Sequence, residues 1–217
     1  MSRGLHLDAY LLAFDTRAQA LQDRTRAGFL VRAAALAELA HRGAVEEDGA
    51  GRARIVSAAA TGDPVLDSLL AELGGRPHTW KSWIRRGREE TLEAVEERLA
   101  VLGAVTVADR DPYGPVAPRR PVTMDDPREA LDLQARVAGL VRGDTPAAGA
   151  PFADAVLAAL AAHGHLRLVL SRKDRRTHAG RIAAFTERLA EPAPGLARAV
   201  GGLHLTMVAA QGGMGGG

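Results

Sequence analysis

AGFLVRAAALAELAHRGAV, residues 27–45, is an apolar stretch with few polar interruptions. Placed on a 3.6-residue helix, Phe29, Leu30, Ala33, Ala34, Leu36, Ala37, Leu39 and Ala40 cover almost the whole circumference. A helix apolar all round is surrounded by protein, so the rest of the chain is expected to pack about it. Arg32 and Glu38 interrupt the run. A charge in that position reaches solvent between neighbouring helices, pairs with an opposite charge, or faces a ligand. Gly43 is placed to end the helix in a left-handed cap.

Around this segment the pattern is mostly helical. Leu5, Leu7, Tyr10, Leu11, Leu12 and Phe14 make the buried side of a first helix. Residues 15–26 read as a polar, Arg-rich loop. Two short extended runs flank Asp48-Gly49-Ala50-Gly51 as a hairpin. Thr61-Gly62-Asp63-Pro64 then opens a helix over residues 64–73, with Asp63 as N-cap and Pro64 at its first position. Thr79 caps a helix holding Trp80, Trp83 and Ile84, and another follows over residues 89–102. A second hairpin is expected between residues 104–108 and 116–122, and a helix from Asp126-Pro127 to about Arg142. Helices over residues 152–163, 177–190 and 195–210 complete the expectation of one domain over residues 1–210, with a disordered Gly-rich tail at 211–217. The fold class expected is mainly α: a helical bundle ringed by amphipathic helices, with one or two small β-hairpins.

Composition excludes several functions. At 217 residues the chain is long enough for a sizeable core. It has no cysteine, which removes disulfides, thiolate nucleophiles and Cys-ligated metals. No apolar run approaches the roughly 18 residues of a membrane span. The first residues carry Asp8 inside their apolar part, against a signal peptide, and a cytoplasmic protein is expected. A net charge of +2 does not by itself imply a nucleic-acid or membrane partner. His163 and His165 are the one close histidine pair and lack a third ligand at metal-binding spacing. Asp63 and Asp67 are explained by the start of a helix. No phosphate-binding glycine loop, nucleophile elbow or zinc-binding helix motif occurs, so neither an enzyme nor a cofactor is expected.

Two basic segments invite a binding reading. Arg76, Trp80, Lys81, Trp83, Arg85, Arg86 and Arg88 interleave aromatic and cationic groups, as nucleic-acid or membrane-interface surfaces do; the alternative is that the tryptophans belong to the core. Arg172-Lys173-Asp174-Arg175-Arg176 reads as a solvated helix entry or as part of a basic membrane-facing patch. Glycines 43, 103 and 164 each separate a helix from an apolar extended start, and two of them precede a hairpin. That arrangement carries a second reading, a winged-helix-like nucleic-acid binder. The almost wholly apolar Leu36-to-Ala40 segment weakens it, because a recognition helix needs outward Arg or Lys.

Four segments, in order, resemble the Golgi phosphoprotein 3 family. They are Leu5-His6-Leu7-Asp8-Ala9-Tyr10-Leu11-Leu12-Ala13-Phe14-Asp15, then Leu36-Ala37-Glu38-Leu39-Ala40-His41-Arg42-Gly43, then Thr61-Gly62-Asp63-Pro64-Val65-Leu66-Asp67, and last Trp83-Ile84 followed by Glu97-Arg98-Leu99 and Gly103. The resemblance implies a mostly helical domain with a projecting β-hairpin. It also implies an adaptor, not an enzyme, that binds phosphatidylinositol 4-phosphate at a membrane surface, with anionic lipid headgroups and protein clients as partners. In an ungapped reading the family's headgroup-binding cation falls on Arg32, its tryptophan on Asp23, and two further arginines on Glu93 and Glu96. Two anions in place of two cations reverse the Coulomb attraction toward a phosphate. Arg24, Arg26 and Arg98 are the cations available to rebuild a headgroup site around Arg32. The alternative for Arg32 is an ion pair with Glu93 or Glu96, and a chain with these departures also reads as a protein-interaction module that has lost its lipid. The expected membrane-inserting hairpin, residues 108–121, is charged and proline-rich and offers little apolar area. The sequence does not specify an oligomeric state.

Overall fold

A computed structural model describes residues 3–75, 77–108 and 120–212, with side chains as far as 210. Among them are eleven α-helices, one 3-10 turn and three two-stranded antiparallel sheets. The expectation of a mainly α fold with small hairpins is met.

Helix α2, Arg24–His41, is the centre of the packing. Its residues are buried continuously from Ala27 to Ala40, so no face is left to enter a nucleic-acid groove and the winged-helix reading loses its recognition helix. Against α2 pack α1 (Leu5–Ala13), α3 (Pro64–Leu73), α4 (Trp80–Arg85), α5 (Arg88–Val101), α7 (Phe152–His163), α10 (Pro194–Gly201) and α11 (Leu203–Gly212). Outside this set, α6 (Arg128–Arg142) buries Leu133, Val137 and Val141 along one stripe. Likewise α9 (Ala179–Ala190) buries Ile182, Phe185 and Leu189. Both are one-sided, as helices on a bundle's perimeter must be.

Helix starts follow their punctuation. Asp63 accepts from the backbone N–H of Val65 and Leu66 at the head of α3, and Thr79 accepts from Ser82 N–H at the head of α4. Gly43 has φ +69, as the end of α2 requires. The first predicted hairpin pairs β3 (Val45–Glu47) with β4 (Ala53–Ile55).

Four expectations are corrected. The supposed loop at 15–26 contains a minimal hairpin, β1 (Phe14–Asp15) with β2 (Ala20–Leu21), and its end already belongs to α2, because Asp23 accepts from Arg26 N–H and caps the helix three residues early. The second predicted hairpin does pair β5 (Thr106–Val107) with β6 (Val122–Thr123), and residues 109–119 between them lie outside the described residues. The predicted helix at 177–190 is preceded by a separate α8 (Arg172–Thr177), started by a reciprocal Ser171–Asp174 capping box. The last predicted helix is broken into α10 and α11 at Gly202. Of the expected tail, residues 213–217 lie outside the described residues. The mixed aromatic and basic surface at 76–88 is not formed: Trp80 and Trp83 are buried, and Trp80 Nε1 donates to Glu47 Oε2 over 2.9 Å. Arg76 lies outside the described residues.

Candidate functional site

The structure separates the four candidate arginines. Arg32 is fully buried; Nη2 donates to Glu72 Oε2 at 2.6 Å, Nη1 to Thr91 Oγ1 at 2.7 Å, and Nε to the carbonyl oxygen of Trp83 at 3.1 Å. Its carboxylate partner is therefore Glu72 on α3, not Glu93 or Glu96. The guanidinium is wholly buried, and each of its three nitrogens donates to protein.

Arg24 makes a two-pronged pair with Glu96: Nη2 to Oε2 spans 2.7 Å, and Nη1 meets Oε1. Tyr10 donates its hydroxyl to the same carboxylate at 3.1 Å. Glu96 is buried, whereas Glu93 is exposed. The carboxylate at position 96 thus locks the start of α2 to α5. Arg98, in the last turn of α5, is half-buried and is not among the residues that line the cavity described next.

Arg24 and Arg26 each line a cavity, Arg24 beside Glu96 and Arg120, and Arg26 beside further guanidiniums. A cavity of about 300 Å³ lies beside the first turn of α2, its polar lining made by Gln22, Asp23, Arg26, His165, Arg167, Arg175 and His204. Three guanidiniums meet one carboxylate there, and that carboxylate is already engaged by Arg26, its Oδ2 lying 3.3 Å from Nε. Arg26 Nη1 also donates to the carbonyl of Gly164 at 2.8 Å, tying the end of α7 to the start of α2. Gly164 is required by close approach: a Cβ there would stand 2.5 Å from Leu30 Cδ2. The next residue, His165, has φ +53 and turns its ring onto that of His204, with centroids 3.8 Å apart.

The cations crowd one another. Burial, and then His204, Arg175, Arg26 and His163, push the His165 imidazole down to about 4. Burial, then Arg167, Arg26 and Arg172, push Arg175 below its ordinary value. An arginine stays charged even so, and the cavity is a concentration of positive charge that an anion would neutralise. Exposed Arg172, Lys173 and Arg176 on α8 extend the positive surface outward. Sequence reading singled out Arg26 and the 172–176 run separately. What joins them is the turn after α7 and the return of α11, which no local pattern in the sequence records.

The fold and this cavity define a helical domain with a buried central helix and an arginine-lined pocket at that helix's start. A comparison with protein families matches residues 5–202 to the family described as Golgi phosphoprotein 3 (GPP34), and the chain belongs to that family. No curated protein matches the chain. Among the described residues no helix is long and apolar enough to cross a membrane.

Proposed function

We propose that this chain is a single-domain, cytoplasmic, peripheral membrane adaptor that holds an anionic lipid headgroup in the cavity between α2, the turn after α7, α8 and α11. The observation that carries the reading is the convergence of Arg26, Arg167 and Arg175 on one cavity with a single, already paired carboxylate. Guanidinium groups offer forked N–H donors matched to phosphate oxygens. Family membership supports phosphatidylinositol 4-phosphate as the first headgroup to try.

Co-flotation tests this directly. Protein is mixed at low salt with vesicles of phosphatidylcholine alone, with phosphatidylserine added, or with phosphatidylinositol 4-phosphate added. Flotation on anionic vesicles only is the expected result. If the protein floats on none of them, the lipid reading fails and the family's protein-client role is what remains. That second reading has its own support in the Arg24–Glu96 pair, an ion pair at a position where the ungapped resemblance puts a headgroup cation.

A further inference from the structure

The described surface holds few large exposed apolar side chains, and two of them share one helix. On α11 Leu205 is 74% exposed and Val208 is 51% exposed, one turn apart on the outward side, while Leu203, Thr206 and Met207 on the opposite side are buried against the body of the protein. Single exposed apolar residues are ordinary. This pair differs in its neighbourhood. Its helix, LHLTMVAAQG, carries no Asp, Glu, Lys or Arg, and His204, the residue before Leu205, lines the basic cavity. The apolar ridge therefore adjoins, through His204, a cavity whose guanidiniums come from α2, the turn after α7 and α8.

We propose that α11 is the part of the molecule that enters the bilayer, lying in the interface with Leu205 and Val208 among the upper acyl chains while the cavity beside it holds a headgroup. The proposal rests on the anionic-headgroup reading above. Charge complementarity selects the occupant: Arg167 and Arg175 line the cavity with His204, Arg172 and Arg176 line a neighbouring cavity that shares Arg175 and His165, and exposed Lys173 on α8 adds to a positive surface drawn to an anionic membrane, while a helix free of ionised groups has no charge to desolvate there. The hairpin segment, residues 108–121, which the family resemblance would assign to insertion, has little apolar side chain to contribute. In this chain α11 supplies that apolar contact.

The test uses the full chain with L205W, against vesicles of phosphatidylcholine and phosphatidylserine with and without brominated acyl chains. Trp80 and Trp83 are buried and provide a constant background. The proposal expects a blue-shifted emission on anionic vesicles and quenching by the brominated chains. It also expects Leu205→Ser with Val208→Ser to weaken partitioning about five- to tenfold at unchanged melting temperature. Protein that floats on anionic vesicles with unshifted, unquenched emission overturns the role of α11 and leaves the headgroup reading standing. Wild-type protein that does not float overturns both. A dimer dissolved by the double serine variant, with vesicle partitioning unaltered, assigns the ridge to a second copy and overturns the proposal.

Discussion

Arg32 Nη2 donates to Glu72 Oε2 across 2.6 Å, joining the middle of α2 to the last turn of α3. The arginine is wholly buried and the glutamate side chain is 38% exposed. Removing the glutamate leaves a cation inside the protein with only Thr91 and a carbonyl for company, whereas removing the arginine leaves an anion that water can reach. Glu72→Ala should therefore cost about 3 kcal/mol, near the lower end for breaking a buried pair, as read by urea unfolding. Arg32→Ala, if enough of it folds, should partition onto anionic vesicles like the wild type. A variant that melts normally and no longer partitions would return Arg32 to the binding site.

Gly87 closes the same network. Its φ is +57, and a Cβ at this position would stand 2.9 Å from Glu72 Oε2 and 3.0 Å from Arg32 Nη1. Gly87→Ala therefore meets left-handed backbone strain of about 1–2 kcal/mol and also displaces the ion pair. Combined with Glu72→Ala, its cost should fall well short of the sum of the two, because the contact it disturbs has already gone. Strict additivity in a double-mutant cycle would separate Gly87 from the pair.

Stability should bend with pH on both sides of neutrality. His6 is fully buried, with Nδ1 3.2 Å from Glu38 Oε2 and Nε2 3.4 Å from Asp63 Oδ1. Burial alone would lower its pKa, but the contacts with Asp63 and Glu38 and their charges outweigh it and the net shift is upward. The stabilisation is then complete below the ordinary 6.5 and is lost as pH rises through the elevated folded value. His165 runs the other way: held at about 4, chiefly by burial, it takes up a proton on unfolding between that value and 6.5, so it costs stability as pH falls through this window. Denaturant unfolding across a pH series should show His6→Asn flattening the limb above 6.5 and His165→Asn flattening the acid limb. Asparagine is chosen at 165 because it tolerates the φ of +53 found there. Unchanged limbs in both variants would contradict the assignment.

The helices were legible in the sequence wherever a cap and an apolar period agreed. Asp63-Pro64 opens α3 at the expected residue, and the unbroken apolar circumference of residues 27–40 marks α2 as the central element. Family membership was legible in four short segments, and the match over residues 5–202 bears it out. What local pattern could not supply was pairing over long separations. Glu72 lies 40 residues from Arg32, and Glu96 lies 72 from Arg24. Each arginine alone reads equally well as a ligand-facing cation or as half of an ion pair. The cavity was hidden for the same reason. Arg26, Arg175 and His204 stand in three distant helices, and only the tight packing of Gly164 on Leu30 brings the turn at His165 between them.

The central claim, that the cavity binds an anionic headgroup, is tested most directly by partitioning of wild type and the Arg167→Gln, Arg175→Gln double variant between buffer and anionic vesicles over a range of salt. Neither substitution removes core volume. With about 1 kcal/mol for each arginine near an anionic surface, the double variant should bind about tenfold or more weakly at low salt and lose part of the salt dependence. Equal partitioning of the two proteins, with equal response to salt, would contradict the account.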